Sequence, residues 1–264
     1  MENAAKFSQK LQQGRVCLGT GISFSDPTIT EALSSVLDFV WIDMEHGPLT
    51  IETVQGHVMA TKGTDTAPIV RVPWNDPVLI KPVLDVGAAG VIVPLVRTAD
   101  DVRRAVAGCL YPPEGIRGFG PRRPSGYGRT GGADFCRKAN EDVIVIVQIE
   151  HIDAVRNLDE ILAVPGLTSV VVGSNDLSGS MGLTGQPRHP EVLAAIDTVI
   201  ARSRKTGVFA GIAIGDDPDQ LVEWLDKGMQ WLAMGCDFTL LLRGADHVTQ
   251  RVRAHAARLR GTAS

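Results

Sequence analysis

The chain has 264 residues, 44% hydrophobic and 21% charged, with a net charge of −4. That length supplies one large core or two small ones, and the mild acidity argues against a nucleic-acid-binding surface. No apolar run approaches the roughly 20 residues of a membrane-spanning helix, so neither nucleic acid nor membrane is an expected partner.

The opening segment, MENAAKFSQKLQQG, is polar with a helical pattern and lacks the apolar core of a signal peptide. Cys17, Cys109, Cys136 and Cys236 are scattered without C-x-x-C spacing, as expected of reduced thiols in a cytoplasm. β-type runs then recur: VCLGTGIS from Val16, FVWIDMEH from Phe39, APIVRVP from Ala67 and GVIVPLV from Gly90. After a long interval come VIVIVQIE from Val143, SVVVGSND from Ser169, FAGIAIG from Phe209 and WLAMGCD from Trp231. Between them lie stretches of helical period, among them ADDVRRAVAGCL, HIDAVRNLDEILAV and PEVLAAIDTVIARSRKTG, with Pro190 at a first turn and Gly207 past an end. A basic amphipathic helix, RGADHVTQRVRAHAARLRG, closes the chain.

Eight strands alternating with helices predict one (β/α)8 TIM barrel over residues 1–264. A doubly wound open sheet is the alternative. It would show fewer units and a glycine-rich phosphate turn after the first strand, and GTGIS is not G-x-G-x-x-G. The long interval, YPPEGIRGFGPRRPSGYGRTGG, has two readings of equal weight. One is a lid at the barrel mouth offering Arg117, Arg122 or Arg123 to an anionic ligand; the other is a solvated insertion or an intersubunit contact.

A barrel of this kind carries its chemistry where the strands end. The fifth and sixth strands end in carboxylates, Glu150 and Asp176. A charge at the end of a run buried on both faces is costly unless it is paired or bound to metal. Oxygen donors suit Mg²⁺, Mn²⁺ or Co²⁺, with positions left open for a chelating substrate. Pairing with an arginine, or capping of the next helix by Asp176, is the structural alternative. His46 ends the second strand, where a histidine is a natural general base near neutral pH. Alternation puts Asp43 and Glu45 on the opposite face from His46, so Asp85 is a second candidate for orienting its ring. Arg71 ends the third strand and suits a carboxylate or oxyanion, or else a salt bridge to Asp43 or Glu45. All seven lysines (Lys6, Lys10, Lys62, Lys81, Lys138, Lys205, Lys227) fall in helices or connections, which argues against Schiff-base chemistry. Cys236 has no paired histidine in view and is not an expected nucleophile.

In order, WIDMEHGP, VRVPWNDP, LDVGAAGVIVPLV, YPPEGIRGFG, VQIE, GSNDLSGSMG and GCDFTLL resemble the HpcH/HpaI aldolase family of metal-dependent pyruvate aldolases, over nearly the whole chain. The resemblance implies a barrel of the phosphoenolpyruvate/pyruvate-binding type, commonly a homohexamer that exchanges its terminal helix between subunits. It implies a divalent metal on Glu150 and Asp176, no organic cofactor, and pyruvate and an aldehyde as small-molecule partners. Arg71 would stabilise the enolate, Gln148 would line the site, and backbone groups of Gly173, Ser174 and Asn175 would receive the pyruvate carboxylate. His46 would be the base, supported by Asp43 and Asp85. Ala213 stands where a bulkier aliphatic is expected beside the pyruvate methyl. The implied reaction is reversible cleavage of 4-hydroxy-2-oxoacids to pyruvate and an aldehyde. Relatives using oxaloacetate or an acyl-CoA are the alternative, and a barrel that has lost catalysis is a third reading that the retained Glu150, Asp176, Arg71 and His46 oppose.

Overall fold

The computed structural model describes residues 2–259 and 261. The eight expected runs are strands β1 (Cys17–Ile22), β2 (Phe39–Asp43), β3 (Ala67–Arg71), β4 (Gly90–Val93), β5 (Ile144–Ile149), β6 (Ser169–Gly173), β7 (Phe209–Ile214) and β8 (Trp231–Cys236). Each pairs in parallel with the next, and β8 pairs with β1 to close the barrel. The open-sheet alternative is thereby excluded. The helices are α1 (Glu2–Gln12), α2 (Thr28–Leu33), α3 (Ile51–Ala60), α4 (Pro77–Asp85), α5 (Ala99–Cys109), α6 (Gly132–Asp142), α7 (Ile152–Arg156), α8 (Leu158–Leu162), α9 (Ser174–Ser180), α10 (Pro190–Ser203), α11 (Pro218–Lys227) and α12 (Asp237–Leu259).

Local chemistry sets their ends. Thr98 and Asp101 form a reciprocal capping box that starts α5, and Asp217 with Pro218 starts α11. Gly228 ends α11 in the left-handed region, at φ 106°. The segment HIDAVRNLDEILAV, which reads as one helix, breaks into α7 and α8 at Asn157, whose side chain donates to the Arg97 carbonyl at 2.9 Å.

Two apolar layers hold the barrel. One lies between strands and helices; the other fills the interior with Phe39, Trp41, Ile69, Ile92, Ile146, Val171 and Trp231. Phe7 and Leu11 of α1 join the interior layer and plug its lower end, with Phe39 and Trp231 packed edge-to-face at 5.3 Å. Gly211 leaves the space this needs, since a Cβ there would meet the Trp231 ring at 2.1 Å. Strand side chains alternate, so the inward set climbs each strand by twos. Above the plug its last members are Gly21, Asp43, Arg71, Gln148, Gly173 and Ala213, which is why these residues meet at the mouth.

The arginine-rich interval is not at the mouth, and the lid reading is corrected. Helix α5 runs back against the strands and delivers the chain to the opposite end of the barrel, where β5 begins. There Arg117 is buried, paired with Asp85 at 2.8 Å and stacked over Tyr111 at 4.4 Å. Arg123 packs at the Val86–Gly87 turn, beside Asn3 of the lower plug.

His57 of α3 is fully buried, with Nδ1 2.8 Å from the Thr30 hydroxyl. Burial holds its pKa below the ordinary 6.5. A depressed histidine contributes stability above its unfolded pKa and loses it as pH falls, because only the unfolded chain takes the proton. Urea unfolding from pH 7 to 5 is expected to show stability declining, with a shallower decline in His57→Gln.

All four cysteines are free, and among the described residues no helix is long and apolar enough to cross a membrane.

Candidate active site

Asp43 and Arg71 are register partners on β2 and β3, and their side chains meet over the barrel axis. Arg71 donates to Asp43 twice, Nε to Oδ1 at 2.9 Å and Nη2 to Oδ2 at 2.5 Å, and stacks over Trp41 at 5.2 Å. Its remaining terminal nitrogen, Nη1, lies 3.0 Å from Glu45 and 3.4 Å from Gln148 Oε1. Burial pushes the Asp43 carboxyl up, but the bonds and charge of Arg71, with the N–H groups of Glu45 and His46, hold it below the usual range. Burial likewise works against the Arg71 cation, but the bond to Asp43 together with the negative charges of Asp43, Glu45 and Glu150 outweighs it and raises its pKa.

Glu150 sits deeper, 4% exposed. Its Oε1 accepts the Leu95 N–H at 2.5 Å and its Oε2 accepts from Gln148 Nε2 at 2.7 Å. Burial pushes its carboxyl up to about 7; the Leu95 N–H opposes that, and the negative charges of Glu45 and Asp176 add to it. Gly173 makes room for this carboxylate, because a Cβ there would stand 3.0 Å from Oε2. Asp176 is in the first turn of α9, exposed at the rim. The N-cap of α9 is Gly173, so Asp176 does not serve as that cap.

Two cavities meet at this pair. The inner one, about 290 Å³, is lined by Asp43, His46, Arg71, Gln148, Gly173, Ser174, Asn175, Asp176 and Ala213, with Trp41 and Cys236. The outer one, about 620 Å³, is lined by Leu95, Glu150, His151, Asn175, Asp176, Ser180 and Thr184. Asn175 and Asp176 are common to both, and no lysine is among the lining residues described for either.

The structure therefore gathers Asp43, His46, Arg71, Gln148, Gly173, Ser174, Asn175, Ala213 and Asp176 around one space, with Glu150 at its edge. Two expected supports for His46 are not found within the chain. Asp85 ends α4, at the opposite end of the barrel, and pairs with Arg117. Asp43 gives its carboxylate to Arg71 and touches His46 only through the backbone N–H, at 3.4 Å. The ring of His46, with its side chain 66% exposed, instead has Nε2 4.0 Å from the Glu45 carboxylate.

Sequence reasoning passed over two participants. For Glu45 the sequence offers only a salt bridge to Arg71, which forms at 3.0 Å; it gives no sign that Oε2 is buried and that burial raises the carboxyl, opposed by Arg71 and His46. Leu95 holds Glu150 from φ 57°, a backbone region that costs a leucine energy and collects at functional sites. Nothing in the string VIVPLV announces it, since a backbone N–H has no residue signature.

Residues 22–244 match the HpcH/HpaI aldolase/citrate lyase family. The chain is 41% identical over 260 residues, 97% of each chain, to 4-hydroxy-2-oxo-heptane-1,7-dioate aldolase of Escherichia coli (strain ATCC 8739). An HpcH/HpaI aldolase/citrate lyase family protein from Burkholderia cenocepacia J2315 superposes with a TM-score of 0.88 at 32% identity, over 93% of this chain and 98% of that one. The citrate synthase SbnG superposes with a TM-score of 0.80 at 29% identity, over 97% and 98%. With a family match across most of its length and a relative at 41% identity over nearly all of it, this chain belongs to the HpcH/HpaI aldolase/citrate lyase family.

Proposed function

We propose that the chain is a divalent-metal-dependent aldolase, a carbon–carbon lyase that cleaves 4-hydroxy-2-oxoacids reversibly to pyruvate and an aldehyde. The observation that carries this reading is the buried Glu150 facing Asp176 and Glu45, with Arg71, the one cation among them, already engaged by Asp43. Three acidic groups around one space, in excess of the positive charge, fit a hard divalent cation. Among the described residues no group of three or more His, Cys, Asp or Glu is arranged to hold a metal, so the protein would supply only Glu150 and Asp176. Mg²⁺, Mn²⁺ and Co²⁺ share the preference for such donors. When bound, the cation supplies Lewis-acid stabilisation of the enolate charge.

The chain's own groups do the rest. Arg71, held by Asp43, presents Nη1 into the inner cavity, where an oxyanion developing at the former keto oxygen gains a fixed charge. Gln148 orients Glu150, and the backbone at Gly173, Ser174 and Asn175 receives the donor carboxylate. His46 stands at the exposed rim, placed to take the proton from the 4-hydroxyl in cleavage and return it in condensation. Ala213 leaves room beside the donor methyl. The arginines of residues 117–129 stand at the far end of the barrel, so within one chain they do not hold the nucleotide of an acyl-CoA. The likeness to a citrate synthase keeps oxaloacetate as a second reading of the same enolate site.

Exposed Leu241, Leu242, Val248, Val252 and Leu259 on α12 support the homohexamer with an exchanged terminal helix. Pyruvate release from 4-hydroxy-2-oxoacids is expected to stop with EDTA and return with Mg²⁺, Mn²⁺ or Co²⁺. Borohydride with pyruvate is expected to trap no adduct. Turnover that survives complete chelation would overturn the metal reading.

A further inference from the structure

We propose that Leu95 is a positioning residue for the metal site: its left-handed backbone aims an N–H at Glu150 and fixes that carboxylate before a divalent cation binds. The inference rests on the metal-dependent reading above and adds to it the group that prepares the buried ligand.

Among the described residues, Leu95 at φ 57° and Tyr127 at φ 61° are the only ones other than glycine in the left-handed region. Tyr127 has a local reason, since its N–H closes a turn onto the Arg122 carbonyl at 2.7 Å. The Leu95 N–H instead reaches a side chain 55 residues away, Glu150 Oε1 at 2.5 Å. The leucine side chain is partly exposed, so its packing does not demand this backbone. An L-residue with a Cβ pays for the left-handed region, and it stays there only where the flanking structure over-determines it.

Both flanks are fixed. Val93 is held in β4 by its pairing with Val147 of β5, and the ring of Pro94 sets the next φ. On the other side Val96 is buried, and the N–H groups of Arg97 and Thr98 bond Asp101 Oδ2 at 3.0 and 2.9 Å. The Asp101 carbonyl in turn accepts from Asn75 Nδ2 at 2.9 Å. Asn157 donates to the Arg97 carbonyl, so the break between α7 and α8 also braces this loop.

The brace acts on one carboxylate. Glu150 takes Leu95 at Oε1 and Gln148 Nε2, at 2.7 Å, at Oε2. A carboxylate has about four lone-pair sites, so these two bonds leave room for a cation while setting the plane of the group. The surrounding charges do not set it: Glu45 and Asp176 repel Glu150, and Arg71 attracts it. Donors that orient a metal ligand in this way typically change metal affinity by about 10- to 100-fold.

The test is Mn²⁺ binding to chelator-treated full-length protein, followed by the EPR signal of the free ion, without substrate or turnover. Leu95→Asn and Leu95→Gly enter the left-handed region more readily than leucine, and the β-branched Leu95→Val less readily. Affinity is expected to stay within about threefold of wild type in the first two and to fall about tenfold in Leu95→Val. A side-chain role would give the reverse order, with valine closest to leucine. Replacing the Leu95 amide by an ester, through its α-hydroxy acid, deletes the N–H and keeps the side chain. It should also cost about tenfold, and it serves if Leu95→Val fails to fold. An ester protein within about twofold of wild type, or tighter binding in Leu95→Val than in Leu95→Asn and Leu95→Gly, would overturn the inference. A wild type that binds no Mn²⁺ would instead strike the metal reading itself.

Discussion

Glu150→Gln is expected to abolish pyruvate release, by at least about a thousandfold in kcat/KM, while the barrel stays folded. The amide keeps the size of the side chain and one oxygen for the Leu95 N–H. It removes the charged oxygen that a cation would bind, so the dependence of thermal stability on added Mn²⁺ should vanish along with turnover. The same substitution has a second readout in chelator-treated protein. The Glu150 carboxyl is raised from 4.5 to about 7 by burial. Below pH 4.5 the folded and unfolded chains both hold its proton. Between 4.5 and 7 the unfolded chain releases it first, so stability falls as pH rises, by roughly 3 kcal/mol across the window. Glu150→Gln should flatten that decline. Melting curves from pH 4.5 to 8, with and without Mn²⁺, measure both effects, and retained activity in the variant would remove Glu150 from the site.

Arg71 should show the opposite division between activity and stability. Its guanidinium spans Asp43 and Glu45, whose side chains are 13% and 14% exposed. Arg71→Met would leave both carboxylates without their cation and is expected to destabilise the fold by about 3 kcal/mol, the scale of a broken buried pair. Adding Asp43→Asn should restore much of that stability and none of the turnover. Arg71→Lys keeps the charge as a single point and is expected to stay folded, with kcat down about a hundredfold. Denaturant midpoints and steady-state kinetics on the three variants separate the roles. Full activity in Arg71→Lys would mean that the fork geometry has no part in the reaction.

The site was legible to the extent that chemistry sits on strand ends. Period-two alternation puts Asp43, Arg71, Gln148, Gly173 and Ala213 each on one face of its strand, but the runs are apolar on both faces, so only closure of the barrel decides that this face is the inward one. Asp85 shows where this stops: the string KPVLDVGAAG says that it ends a helix, but which end of the barrel that helix leads to depends on the chain's direction through the fold. The loop from Tyr111 to Gly132 failed for the same reason, since its arginines read alike at either rim.

Apolar runs alternating with helices, helix caps and the carboxylates at Glu150 and Asp176 were enough to specify a barrel and to put two acidic residues at the end where its strands finish, because each is a local or periodic property of the chain. Which partner each charge takes was not. Asp43 could have served His46 or Arg71, and only the register of β2 on β3 settles it. The raised carboxyl of Glu150 and its bond from Leu95 arise from burial and from backbone brought across 55 residues of sequence. Desolvation and long-range hydrogen bonding belong to the folded molecule: they leave Glu150 as the one costly charge, while Asp176, expected at the end of β6, stands exposed on the first turn of α9.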